Sequence, residues 1–254
     1  MRANRVKELM KRGGKAINAW CSLPNSFSAE LMAHAGFDSV TIDLQHGLVD
    51  YQTTVTMLQA ISSTETTPLC RVPWLEEGII MKMLDAGAYG VICPMINSGE
   101  DAERFVRACS YAPRGQRSFG PTRAAVYGGA DYPAKANDTV LKLAMIETLE
   151  AFEQREAILA TPDLSGIYIG PSDLGLSMDH EPRLDPEAPP VVEAIEAILA
   201  SVKARGLIAG IHCLAPAYAR QMHEKGFDLV TLASDARLMS AAASQGIAAI
   251  RGKD

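Results

Sequence analysis

The stretch Thr41-Ile42-Asp43-Leu44-Gln45-His46-Gly47 decides how the rest of the chain is read. A short apolar run of β type, Ser39-Val40-Thr41-Ile42, stops abruptly in Asp43, Gln45, His46 and Gly47. A run that ends in ionisable groups and a glycine predicts a buried strand delivering chemistry at its carboxyl end. The pattern recurs downstream. Leu69-Cys70-Arg71 ends in a cation, Leu143-Ala144-Met145-Ile146-Glu147 in a carboxylate, and Ile167-Tyr168-Ile169-Gly170-Pro171-Ser172-Asp173 in a tight turn and a second carboxylate. Four strand ends carrying a base, a cation and two acids imply one shared site.

Working outward, apolar runs alternate with helical patterns along the whole chain. Strands are expected at 16–23, 38–43, 68–72, 90–94, 141–147, 166–170, 207–213 and 228–233, and helices between them end at Gly36, Gly87 and Gly206. A short amphipathic helix around Val6, Leu9 and Met10 precedes the first strand, and residues 236–250 form the last helix. Strands such as Val91-Ile92-Cys93-Pro94-Met95 are apolar without alternation, the mark of parallel strands covered on both faces. Eight such units in roughly 250 residues fit a single α/β domain over residues 1–254, a (β/α)8 TIM barrel. A doubly wound sheet would want a glycine-rich first turn, whereas this chain has Ser22-Leu23-Pro24-Asn25-Ser26. Tyr111 to Val140, rich in Gly, Pro and Arg, interrupts the rhythm and is expected to be a long functional loop.

Composition narrows the function. The net charge of −6 gives no basic footprint for nucleic acid. No apolar run approaches the ~20 residues a membrane span needs. The polar N-terminus is not expected to be a secretory signal. Five cysteines without a Cys-x-x-Cys motif fit small core residues in a reducing compartment, so a cytoplasmic location is expected.

In such a barrel the reacting groups lie at the carboxyl ends of strands. Glu147 and Asp173, on neighbouring strands, need a shared proton or a cation, and hard oxygen donors favour Mg²⁺ or Mn²⁺. Asp173 could equally be a helix cap. Arg71 could clamp a carboxylate or enolate oxygen, or pair with a strand-end acid. His46 has Asp43 three residues before it, close enough to hold the ring in one tautomer, and His212 at the end of the seventh strand is its only rival. The nine lysines fall in helices, loops or strand starts, so no Schiff base is expected. The loops after strands seven and eight lack glycine, which points to an unphosphorylated substrate.

These residues, with Leu84-Asp85-Ala86-Gly87-Ala88, Pro94-Met95, Tyr111-Ala112-Pro113-Arg114-Gly115-Gln116-Arg117 and Glu147-Thr148, resemble the HpcH/HpaI aldolase family over nearly the whole chain. The resemblance implies a barrel of the phosphoenolpyruvate/pyruvate type and a class II aldolase, a metal-dependent lyase that cleaves 4-hydroxy-2-oxo acids. Its members include aldolases of 4-hydroxy-2-oxoheptanedioate and 2-dehydro-3-deoxyglucarate. Glu147 and Asp173 would hold a divalent ion, Mg²⁺ or Mn²⁺ with Co²⁺ as a further candidate. His46, oriented by Asp43, would be the acid/base, and Arg71 would face the keto oxygen. The Gly170-Pro171-Ser172-Asp173 turn would take the donor carboxylate, and Trp20 and Leu232 would line the pocket. The partners implied are a 2-keto acid, pyruvate or hydroxypyruvate, and an aldehyde. The family resembles barrels that exchange the last helix and assemble as trimers or hexamers. The long loop would then reach a neighbour's site, with Arg123 touching the aldehyde. Gln45 stands where many members carry glutamate. A lyase of CoA esters and a non-catalytic metabolite-binding barrel are the alternatives.

Overall fold

The structure, a computed structural model, describes residues 1–252. Eight parallel strands close into a barrel in chain order: β1 (Ala16–Cys21), β2 (Ser39–Asp43), β3 (Thr67–Arg71), β4 (Gly90–Cys93), β5 (Leu141–Ile146), β6 (Gly166–Ile169), β7 (Ile208–Cys213) and β8 (Leu229–Leu232). Seven lie within the expected ranges, each shortened by a residue or more at one or both ends, and β3 is moved one residue towards the N-terminus.

Side chains alternate between two cores. Trp20, Leu69, Ile92, Leu141, Leu143, Met145, Tyr168 and Leu229 fill the barrel interior. Val40, Ile42, Cys70, Val91, Ala144, Ile167 and Ile211 face outward against the helices. This period of two governs the site, because the inward set continues upward into the residues at the carboxyl ends. Helix α1 (Arg5–Lys11) closes the opposite, amino end, where Val6 joins the interior core and Leu9 and Met10 pack against it.

Helices α2 (Ser26–His34), α3 (Tyr51–Ile61), α4 (Glu77–Asp85) and α5 (Gly99–Cys109) follow the first four strands. The long segment expected to be a loop contains two short helices, α6 (Thr122–Gly128) and α7 (Tyr132–Thr139). Their lengths of 7 and 8 residues are too short for an amphipathic repeat to show. The helix expected between the fifth and sixth strands is two pieces, α8 (Leu149–Glu153) and α9 (Arg155–Leu159), and the turn after β6, where Asp173 is a candidate helix cap, opens a short helix, α10 (Pro171–Ser177). Helices α11 (Pro189–Ala204), α12 (Pro216–Lys225) and α13 (Asp235–Ile250) complete the chain. Of α13 only Asp235 is buried. No helix among the described residues is long and apolar enough to cross a membrane.

The segment between α5 and β5 lies at the amino end of the barrel, opposite the strand ends that carry His46 and Glu147. Arg123 is committed there. It donates to the carbonyls of Ala86 (2.7 Å) and Leu58 (3.1 Å) and to Ser62 Oγ (2.8 Å), fastening α6 to the ends of α3 and α4. Within its own barrel the Arg123 guanidinium serves helix C-termini on the far face; the aldehyde contact expected of it is to a neighbouring subunit's site, not to this one.

Candidate active site

A cavity of about 360 Å³ opens at the carboxyl ends of the strands. Its wall brings together Trp20, Asp43, His46, Arg71, Glu147, Gly170, Pro171, Ser172 and Asp173. Gln45 and Leu232, also expected there, do not line it, and neither does Arg123, expected at a neighbour's site. Leu232 is half-buried at the end of β8, and Gln45 turns aside with its buried Oε1 unpartnered. Residues not anticipated as lining are Ser22, Met145, Leu184, Ser234 and Arg237, together with His212, expected only as a rival base.

The cation end is built on β2 and β3, whose register sets Asp43 beside Arg71. Arg71 donates from Nε to Asp43 Oδ1 (2.8 Å) and from Nη2 to Oδ2 (2.7 Å). The guanidinium lies over the Trp20 ring at 4.8 Å, and the indole N–H donates to Asp43 Oδ2 (3.1 Å). Burial alone would raise the Asp43 carboxyl. The hydrogen bonds and charge of Arg71, then the Trp20 and Gln45 N–H groups, outweigh it and hold the acid below its ordinary value. Two of the five guanidinium donors are spent on this pair, leaving its other edge for a ligand.

Asp43 does not hold the His46 ring. Its Oδ1 accepts from the backbone amides of Gln45 (3.0 Å) and His46 (3.3 Å). The correction has a simple cause: an Asp side chain followed by a tight turn reaches the main chain of the next residues before it reaches their side chains. Asp43 thus fixes the loop that carries His46, while the imidazole itself is exposed at the mouth.

The acid end is built on β5 and β6. Glu147 is 2% exposed, and its Oε1 accepts from the Met95 amide at 2.8 Å. Its Oε2 has no hydrogen-bond donor among the described residues. Gly170 makes room for it, since a Cβ there would meet Oε2 at 2.6 Å. Desolvation, reinforced by the charge of Asp173, pushes the Glu147 carboxyl up to about 7. Asp173 stands exposed in the first turn of α10, where the first intrahelical bond runs from Leu174 N–H to Gly170 O (3.1 Å). The amides of Ser172 and Asp173 precede it and are free of intrahelical partners.

Two carboxylates on one wall, one of them buried and short of partners, fit a divalent cation with oxygen ligands. No three His, Cys, Asp or Glu side chains gather as a metal cluster among the described residues, so water or substrate would complete the coordination. No lysine lines the cavity among the described residues, and the most buried one, Lys142, donates to the carbonyls of Asn137 (3.2 Å) and Asp163 (3.4 Å) near the amino end.

The HpcH/HpaI aldolase/citrate lyase family model matches residues 17–242. A hydroxypyruvate/pyruvate aldolase of Rhizorhabdus wittichii is 41% identical over 98% of this chain and 99% of its own. A 4-hydroxy-2-oxo-heptane-1,7-dioate aldolase of Salmonella dublin is 36% identical over 93% of this chain and 90% of its own. Among solved structures, an HpcH/HpaI aldolase/citrate lyase family protein from Burkholderia cenocepacia superposes with a TM-score of 0.89 at 32% identity, covering 97% of this chain and 98% of that one. With barrel, strand-end residues and near full-length relatives in agreement, this chain belongs to the HpcH/HpaI aldolase/citrate lyase family.

Proposed function

We propose that the enzyme reversibly cleaves 4-hydroxy-2-oxo acids to pyruvate or hydroxypyruvate and an aldehyde, with a divalent cation at Glu147 and Asp173. The observation that carries this reading is the pairing of a partner-poor buried carboxylate with a guanidinium edge across one cavity. The two relatives named above act on keto acids of this kind by name.

The cation, when bound, supplies Lewis-acid stabilisation of the keto oxygen. The chain's own residues do the rest. A base takes the C4 hydroxyl proton, the C3–C4 electron pair moves into the keto acid as an enolate, and a proton returns to C3. His46, exposed at the mouth, is the group placed to take and return that proton. The free edge of Arg71 faces the developing oxyanion, and the amides of Ser172 and Asp173 take the donor carboxylate. Trp20 gives the pocket an apolar wall beside Arg71.

One experiment tests the whole reading: turnover of pyruvate or hydroxypyruvate with a panel of aldehydes, for the protein as isolated, the EDTA-treated protein and His46→Ala. EDTA is expected to abolish turnover and Mg²⁺, Mn²⁺ or Co²⁺ to restore it. His46→Ala is expected to lose about 10²-fold or more in cleavage while still binding metal. Full activity after chelation, or trapping of pyruvate by borohydride, sinks the proposal.

Assembly belongs to the same reading. Helix α13 exposes Leu238, Met239, Ile247 and Ile250, and an apolar groove of about 640 Å³ runs between it and α2, lined by Phe27, Leu31 and Met239. Apolar surface of this extent supports a homo-oligomer, a trimer or hexamer exchanging the last helix. Sedimentation is expected to give a mass of at least three chains, and a monomer at micromolar concentration would remove the assembly. The five free cysteines are all buried, which fits the cytoplasmic location proposed with it.

A further inference from the structure

The barrel interior holds a line of polar groups that the mechanism above leaves unused. Asn18, Ser39, Thr41 and Thr231 are each 0% exposed, as is Tyr168. Ser39 Oγ (2.8 Å) and Thr41 Oγ1 (3.1 Å) both donate to Asn18 Oδ1. Asn18 Nδ2 donates to Thr231 Oγ1 (2.9 Å). Thr231 Oγ1 lies 2.5 Å from Tyr168 Oη, and Tyr168 Oη lies 3.2 Å from His212 Nδ1. His212 lines the cavity with its ring edge-on to Trp20, centroids 4.8 Å apart.

Each hydroxyl has one proton to give and two lone pairs to receive with, so the Thr231–Tyr168–His212 stretch has two directions, and each fixes one tautomer of His212. The two hydroxyls converging on Asn18 Oδ1 fix the amide, and its N–H occupies a lone pair of Thr231. In the direction that carries on from the Asn18 N–H, Thr231 gives its own proton to Tyr168, and Tyr168 gives its proton to His212 Nδ1. In that direction the Nδ1 lone pair is consumed, and the single ring proton of a neutral imidazole sits on Nε2. Gly210, two residues before His212 on β7, makes room for the relay: a Cβ there would come 2.9 Å from Tyr168 Cδ2.

We propose that His212 is a neutral hydrogen-bond donor to substrate, its Nε2–H held towards the cavity by the Ser39/Thr41–Asn18–Thr231–Tyr168 chain. It works beside Arg71 and Trp20, so the oxygen it serves is the carbonyl or oxyanion of the substrate in that half of the site. It offers no basic nitrogen, which leaves proton transfer to His46. Burial, with the nearby Arg71 charge, pushes the His212 imidazolium down to about 3, in keeping with a ring that stays neutral.

The inference rests on the keto-acid reading of the cavity for its substrate, and its structural half can be tested without turnover. Histidine-selective ¹⁵N labelling of the substrate-free enzyme reads the ring nitrogens directly, with His212 assigned by the signals missing in His212→Gln. The expected result at neutral pH is a protonated Nε2 and a bare Nδ1. In kinetics, His212→Phe is expected to lose roughly ten- to a hundredfold in kcat/KM, the range for an unmet buried hydrogen bond. His212→Gln, whose amide N–H reaches the place of Nε2, is expected to recover most of that loss. A bare Nε2 with a protonated Nδ1 overturns the proposal. So does an unchanged kcat/KM in His212→Phe, or a glutamine variant no better than the phenylalanine. If the tautomer is as stated but no keto acid is turned over, the keto-acid reading fails and the donor stands.

Discussion

Glu147→Gln is expected to melt higher than the unaltered protein in chelator at pH 8, while losing about 10³-fold or more in turnover and its thermal response to Mg²⁺ or Mn²⁺. The reason is the cost of keeping this carboxylate buried and charged. Its carboxyl is raised from its ordinary value of 4.5 to about 7, first by desolvation and then by Asp173. A raised acid binds its proton more tightly in the folded state than in the unfolded state. The stability it contributes is therefore complete below about 4.5 and is lost as pH climbs through about 7. A displacement of that size is on the order of 3 kcal/mol.

Glutamine keeps an acceptor for the Met95 amide and carries no charge. The metal-free variant should thus escape the penalty above neutral pH, a gain of ~5 °C or more for a domain this size. In the unaltered protein a divalent ion is expected to relieve the same penalty, with protons competing against it below about 7. Calorimetry at pH 5 and pH 8, with EDTA or with Mn²⁺, checks all of this. A variant that melts no higher than its parent at pH 8 in EDTA would mean that Glu147 is not strained. An unchanged response to Mn²⁺ would mean that it is not a ligand.

How far the chain could be read in advance follows from what each signal measures. The barrel was legible because eight apolar strands repeat with helical spacers, and burial on both faces writes itself as unbroken apolar runs. The polar stops after β2, β3, β5 and β6 gave His46, Arg71, Glu147 and Asp173 because inward positions continue past the hydrophobic layers. Arg123 lies far from its own barrel's cavity for a reason the chain order contains. A segment between a helix and the next strand returns to the amino end of the barrel, whatever charges it bears. His212 was visible only as a rival to His46. Its role lay in the period of two along Ile208, Gly210 and His212, which puts it on the inner face above Tyr168. Arg237 sits in the first turn of α13 beside the cavity, and Asp235, accepting from Ser22 N–H (2.9 Å) and Ser28 Oγ (2.9 Å), ties that helix to the β1 loop and to α2. Such a tie leaves no periodicity to find. The role assigned to Asp43 changed because spacing shows that two residues are near, not which atoms meet.

Arg71→Met is expected to lower kcat/KM about 10²- to 10³-fold through its oxyanion contact and to destabilise the fold as well. The second effect comes from Asp43, whose side chain is 3% exposed and would keep its charge without its partner. Removing one member of a buried pair typically costs 3–5 kcal/mol because the other charge is left uncompensated, so ~4 kcal/mol is expected here. Lysine should not restore the site, since a single ammonium cannot span both Asp43 oxygens and lie flat on Trp20 while presenting a free edge. The two consequences separate in Asp43→Asn/Arg71→Met, which removes both charges. Its melting temperature should return most of the way to that of the unaltered protein, and its turnover should stay as low as in Arg71→Met. Recovery of turnover in the double variant would show that Arg71 serves only to neutralise Asp43. Failure of both to recover would place the loss in the His46 loop, which Asp43 holds by its two backbone amides and an asparagine holds less firmly.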